Sequence, residues 1–291
     1  MRIGIFGKSL ADASYPFLNE LIEVLKEAEF EASFYAPFAE EIKHKVDING
    51  YLTFKGPNAK NENLDYIISL GGDGNMLNTI AMVHDSEIPV LGINMGRLGF
   101  LSSVNREQIK EAITSLKKGD FNIDSRSLIR LSSHAELFDN KNFALNEVTV
   151  YKQQPNSMIS VHVYIDEVFL NSYWADGLII ATPTGSTAYS LSTGGPIISP
   201  EAHNFIITPI APHNLSVRPL VIPDDKKVRI QVKGREESYF VSLDARTQSF
   251  QSNEDLIIEK ESFEIKLIRL PEEHFFSTIR AKLLWGIDKR N

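Results

Sequence analysis

The stretch Asp65-Tyr66-Ile67-Ile68-Ser69-Leu70-Gly71-Gly72-Asp73-Gly74 decides how the chain is read. Tyr66–Leu70 is a short apolar run of strand type, and it breaks at two adjacent glycines. Beyond the break, Met76, Leu77, Ile80 and Ala81 recur at helical spacing. Strand, glycine turn and helix therefore follow one another directly. Adjacent glycines let backbone approach a ligand without Cβ interference, and the helix that follows offers free N–H groups and a positive dipole end. Such a loop is a natural cradle for phosphate, and in an α/β sheet it sits at the carboxyl end of a strand, where ligands bind.

The flanks repeat the pattern. Ile3–Gly7 and Pro89–Ile93 read as further strands. Phe17, Leu18, Leu21, Ile22 and Leu25 mark one amphipathic helix; Ile109, Ala112, Ile113 and Leu116 mark another, ended by Gly119. Alternation of this kind predicts a parallel sheet with helices on both faces. Near residue 120 the helical period gives way to short strand-like runs: Leu128–Leu131, Glu147–Tyr151, Ile159–Ile165, Leu178–Ala181, Val228–Val232, Tyr239–Leu243 and Ile265–Ile268. The expectation is an α/β domain over residues 1–122 and a β-rich domain over 123–270. A helical segment after Pro183-Thr184-Gly185 interrupts the second. The tail Phe276–Leu284 fits strand or helix, and residues 271–291 are expected to return to the first domain.

Composition narrows the function classes. The 291 residues are 43% hydrophobic and 23% charged, as expected of a globular chain with a sizeable core. With a net charge of -8 and only short basic pairs such as Lys117-Lys118, nothing marks a nucleic-acid surface. The absence of cysteine excludes disulfides, thiol nucleophiles and Cys-type zinc sites. No run approaches the ~20 apolar residues of a membrane span, and Met1–Phe6 is too short for a signal peptide. The default expectation is a cytoplasmic protein.

Asp73 is the unusual member of the glycine loop. It caps the helix, takes a proton from an attacking hydroxyl, or holds a divalent metal; the motif alone leaves these open. Gly4-Ile5-Phe6-Gly7-Lys8-Ser9 ends like a P-loop but has two residues between its glycines where that loop needs four, so the P-loop reading is rejected. Trp174-Ala175-Asp176-Gly177, followed by Thr182-Pro183-Thr184-Gly185-Ser186-Thr187-Ala188-Tyr189-Ser190, crowds hydroxyls after an apolar strand, as a polar ligand requires. Asn146-Glu147 can hold the vicinal hydroxyls of a ribose. His213 in its Pro-rich loop reads as structural.

Taken in order, these elements resemble the NAD kinase family. Asn94-Met95-Gly96-Arg97-Leu98-Gly99-Phe100-Leu101, Pro209–Pro219 and Trp285-Gly286 belong to the same match, which covers most of the chain. The acidic glycine loop also occurs in diacylglycerol-type lipid kinases, whereas the Thr182–Tyr189 run is much more specific to NAD kinases. The resemblance implies a Rossmann-like α/β domain, a sandwich-like β-rich domain and an active site between them. It implies transfer of the γ-phosphoryl group of ATP to the 2′-hydroxyl of the adenosine ribose of NAD, giving NADP, with Asp73 as general base. It assigns NAD contacts to Asp73, Gly74, Asn146, Glu147, Trp174, Asp176, Thr184, Thr187, Ala188, Tyr189, Ser190, Leu191, Ser192 and Ala211. Phosphate contacts fall to Gly71, Gly72, Gly74, Asn94 and Arg97. No motif forms a metal cage, so Mg²⁺ is expected to arrive with ATP. A homodimer or homotetramer is implied, with no nucleic-acid or membrane partner. Two positions depart from the family pattern: Asp244-Ala245-Arg246 stands where Asp-Gly-Gln is usual, and Trp174 precedes the Ala-Asp-Gly motif where a basic residue is common.

Overall fold

The computed structural model describes residues 1–56, 63–96, 99–102 and 104–285. The chain divides into two compact units, Met1–Ser125 with Ile265–Asn291, and Arg126–Glu264.

In the first unit β1 (Arg2–Phe6), α1 (Tyr15–Glu27), β2 (Glu31–Tyr35), α2 (Ala36–Ile42), β3 (Leu52–Phe54), β4 (Tyr66–Leu70), α3 (Asp73–Val83), β5 (Val90–Asn94), β6 (Val104–Asn105) and α4 (Ile109–Lys118) follow in order. The strands pair in parallel in the spatial order β5-β4-β1-β2-β3. Ile67, Ile68, Ser69 and Leu70 of β4 are all buried, as a strand covered on both faces should be. Proline in the first turn starts α1 and α2. Gly119, at φ +69, closes α4 in the left-handed conformation. Leu18, Leu21 and Leu25 of α1 join Ile109, Ile113 and Leu116 and the sheet in one core.

In the second unit the strands are antiparallel. They comprise the end of β7 (Asn122–Leu131), then β8 (Phe143–Ala144), β9 (Glu147–Tyr151), β10 (Ile159–Ile165), β11 (Val168–Ala175), β12 (Gly177–Ala181), β13 (Asn204–Ile210), β14 (Leu220–Pro223), β15 (Val228–Lys233), β16 (Ser238–Leu243), β17 (Arg246–Gln251) and the start of β18 (Leu256–Arg269). One sheet runs β14-β13-β12-β9-β16-β17; against it lie β11, β10, β15 and β18. Val148, Val150, Leu178, Ile180, Phe205 and Val241 from the first sheet share a core with Val161, Val163, Ile230, Val232 and Ile258 from the second. This is a sandwich.

The structure resolves one ambiguity, divides one expected element and extends another. The tail is a helix, α6 (Phe275–Leu283), opened by a capping box of His274 and Ser277. The helical segment after Pro183 splits into a 3-10 turn, Thr184–Thr187, and the short helix α5 (Tyr189–Ser192). Ala188 between them is at φ -98, ψ -130, which no helix accommodates. Ile265–Ile268 is only the end of the 14-residue β18. In its remaining portion, Leu267 pairs with Val90 of β5 in parallel register.

Candidate functional site

Phe6 of β1 lies opposite Ser69 of β4, so the loops after these two neighbouring strands emerge together. Here the strand order turns back on itself, the switch point at which α/β sheets bind ligands. Gly71, at φ +144, takes a conformation that favours glycine, and a Cβ there meets Asn75 Cβ at 2.9 Å. By contrast, the Cβ positions of Gly72 and Gly74 face open space. The loop is therefore tight at its first glycine and accessible at the other two. Beneath it, Asn75 Nδ2 donates to Ser69 Oγ at 3.0 Å, and Thr79 Oγ1 lies 2.7 Å from the same oxygen.

Asp73 is not a helix cap. Gly72 is the N-cap residue, and no side chain caps the helix. Instead the Asp73 carboxylate accepts three backbone N–H groups from a neighbouring turn: Phe100 at 2.8 Å on Oδ2, and Leu101 at 3.0 Å and Ser102 at 3.3 Å on Oδ1. A Cβ on Gly99 would stand 1.7 Å from Oδ1, so the turn presses directly on the carboxylate. Asn94 is buried, and its Oδ1 accepts the Gly96 N–H at 2.7 Å, which shapes the turn after β5. Arg97 and Gly286 lie outside the described residues.

The second unit builds its own concave site, a cavity of about 360 Å³ whose lining includes Glu147, Lys152, Asp176, Tyr189 and Asp244. It therefore brings together Glu147, Asp176 and Tyr189 of the expected set. Asn146 is buried beside them. Thr184, Thr187, Ala188, Ser190, Leu191 and Ser192 form the adjoining loop and helix, and Ala211 follows β13 at φ +46. Trp174 stands apart from the cavity lining. It is 58% exposed, with its ring 5.9 Å from that of His213, whose N–H donates to the Trp174 carbonyl at 2.9 Å. Lys152, Thr149, Tyr151 and Ser242 also line the cavity and were missed from sequence. The signal for two of them was alternation: Glu147, Thr149 and Tyr151 are every second residue of β9, while Val148 and Val150 face the core. Lys152 pairs with Asp176 at 2.6 Å.

Much of the hydroxyl cluster holds the protein together. Thr182, Ser186 and Ser190 are fully buried. The Thr182 hydroxyl donates to the Leu145 carbonyl and accepts the Gly185 N–H; Ser186 Oγ is tied to Ile198, and Ser190 Oγ to Thr208 Oγ1. Thr184 accepts from Arg126 at 3.1 Å. Within Thr182–Ser190 the exposed residue is Tyr189, at 45%.

Asn146-Glu147 is pinned by the departing motif itself. Asp244, at φ +53 in the β16–β17 turn, accepts the N–H groups of Leu145, Asn146 and Glu147 at 2.9, 2.8 and 3.2 Å. Ala245 has no positive φ, so this turn does not require glycine there. Arg246 donates to the carbonyls of Lys141 and Phe143 and lies over the Phe138 and Phe143 rings. Residues 244 and 246 thus grip the segment that leads into Asn146-Glu147.

Burial pushes the Glu147 carboxyl up to about 8; the Asp244 charge adds to the rise and the Tyr189 N–H opposes it. Burial also raises Asp244, against the pull of its three N–H donors and Arg246. Glu147 Oε2 is buried and has no hydrogen-bond partner among the described residues. Between the ordinary value of 4.5 and about 8, folded Glu147 holds a proton that the unfolded chain has lost, so stability falls as pH rises through that window. Glu147→Gln is expected to flatten this slope in thermal denaturation from pH 5 to about 8.5. An unchanged slope in the variant would show that Glu147 is not the group responsible.

Residues 3–121 match the family model for the ATP-NAD kinase N-terminal domain, and residues 145–270 that for the C-terminal domain. The NAD kinase of Flavobacterium psychrophilum is 45% identical over the whole of both chains, and that of Cytophaga hutchinsonii 40% identical over the same extent. Among solved structures, yeast NADH kinase complexed with NADH superposes with TM-score 0.86 at 25% identity, covering 99% of this chain and 88% of that one. An Archaeoglobus fulgidus NAD kinase in complex with ATP gives TM-score 0.76 at 27% identity, covering 98% and 99%. With both domain models matched in order and full-length relatives at this identity, the chain belongs to the ATP-NAD kinase family.

Proposed function

We propose that this kinase transfers the γ-phosphoryl group of ATP to the 2′-hydroxyl of the adenosine ribose of NAD, with Asp73 as the general base. The observation that carries the reading is Asp73 itself: a carboxylate fixed by three N–H groups at the head of α3, between two glycines whose Cβ positions are open. A sugar hydroxyl is barely ionised at neutral pH, so a held carboxylate accepts its proton as the oxygen bonds to phosphorus and ADP leaves. Free N–H groups at the start of α3 suit the phosphates. In the second unit, Glu147, Asp176 and Tyr189 suit NAD: polar groups for hydroxyl and amide, and an exposed ring for stacking.

The described residues contain no group of three or more His, Cys, Asp or Glu able to hold a metal. We read the divalent cation as entering with ATP, where it would bridge phosphate oxygens. No described helix is long and apolar enough to cross a membrane. A homodimer or homotetramer is the assembly we assign, to be checked by light scattering.

The test is to incubate the protein with MgATP and NAD and to measure NADP with an NADP-specific dehydrogenase. NADP formation is the expected result, and none above a blank refutes the reading. A parallel run with NADH fixes the acceptor's redox state.

A further inference from the structure

Asp73 does not hold itself in place. Its three donors come from the turn Phe100–Ser102, and that turn has a second anchor. Arg269, near the end of β18 and only 12% exposed in its side chain, donates from Nη1 to the Leu101 carbonyl at 3.3 Å. Its Nε is fixed by Asp124 Oδ2 at 3.0 Å. The Leu101 carbonyl and the Ser102 N–H belong to one peptide group, and in a trans peptide they point in opposite directions. The guanidinium thus engages one side of this peptide while its other side donates to Asp73 Oδ1. Polarising the carbonyl strengthens the N–H as a donor, and an arginine remains charged at any working pH. Ser102 is also confined from β5, where a Cβ on Gly92 would lie 2.9 Å from its Cα.

We propose that Arg269, held by Asp124, is a positioning residue that sets the Asp73 carboxylate through the Leu101–Ser102 peptide. The inference rests on the reading of Asp73 as the base. Loosening the turn lets the carboxylate drift from the hydroxyl it must reach, and proton transfer tolerates little drift. A purely structural role for Arg269 predicts a different pattern, because it gives no reason for the effect to pass through Asp73.

The experiment compares Arg269→Met, Arg269→Lys and Asp124→Asn with the parent chain, and places Arg269→Met in an Asp73→Asn background. For Arg269→Met the expected loss in kcat is on the order of 10–10²-fold. KM for ATP and for NAD should stay within about threefold, since binding contacts are untouched. Arg269→Lys should recover part of kcat, and Asp124→Asn should lower it in the same direction but less. In the Asp73→Asn background Arg269→Met should cost no more than about twofold, because its target is already gone. A kcat within about twofold of the parent, a rise in KM at constant kcat, or an equal loss in both backgrounds overturns the proposal. If Arg269→Met does not fold, Arg269→Lys and Asp124→Asn decide: full kcat in both overturns it. Full activity of Asp73→Asn is a different failure, that of the base assignment itself.

Discussion

Asp73→Asn is expected to lower kcat by on the order of 10²–10⁴-fold, the usual contribution of a positioned general base, and to leave NAD affinity nearly unchanged. The amide is isosteric with the carboxylate but cannot take the proton. It also brings an NH₂ group toward a turn that presents the N–H groups of Phe100, Leu101 and Ser102. One amide oxygen can still accept from that turn, so some local order should persist. Single-turnover kinetics with calorimetric NAD binding separates the two effects. A variant with parental kcat removes Asp73 from the chemistry, and one that no longer binds NAD gives it a binding role instead.

Gly185→Ala carries the second large effect. The Gly185 Cβ position lies 2.0 Å from the backbone oxygen of Asn146 and 2.8 Å from its Cα. Backbone cannot swing aside as a flexible side chain can. The Thr182–Tyr189 loop and the Asn146-Glu147 segment must therefore separate, and with them the Thr182 N–H bond to the Asn146 carbonyl. Overpacking of this kind costs about 1–3 kcal/mol. If the displaced segment is the NAD-binding one, Kd for NAD should rise on the order of tenfold or more, as ~1.4 kcal/mol implies. Differential scanning calorimetry reads the first effect and titration calorimetry the second. Parental values in both would mean that the loop yields without disturbing the site.

The strand–glycine–helix reading around Gly71 and the bounds of β9 and β10 were legible because their apolar runs are short and cleanly ended. The full length of β18 was not. Glu259, Lys260, Glu261 and Glu264 break its apolar pattern, since much of the strand is not fully buried. β11 escaped for a similar reason: Asn171 and Ser172 read as turn residues, and among its eight residues only Tyr173 and Ala175 are buried. At the site, residue type pointed to Glu147, Asp176 and Tyr189, but it did not separate hydroxyls facing a ligand from buried hydroxyls that pin a loop, as Thr182, Ser186 and Ser190 do. Nor was the hold on Asp73 readable, because its donors are backbone N–H groups, which any residue except proline supplies. The departure at Asp244-Ala245-Arg246 had the appearance of a loss. In the structure Asp244 holds Asn146-Glu147 from one side, and Arg246 grips the preceding segment.

The pairing of Leu267 with Val90 has a consequence during synthesis. A ribosome adds about 5–20 residues per second. The partner for this part of β5 therefore emerges on the order of ten to thirty seconds after β5 itself. Through that interval β6 can cover Ile93 and Asn94, but the Val90 end of β5, destined for full burial, stays without its β18 neighbour. Chaperone occupancy of stalled nascent chains should be highest while that end waits and fall once residue 267 clears the exit tunnel.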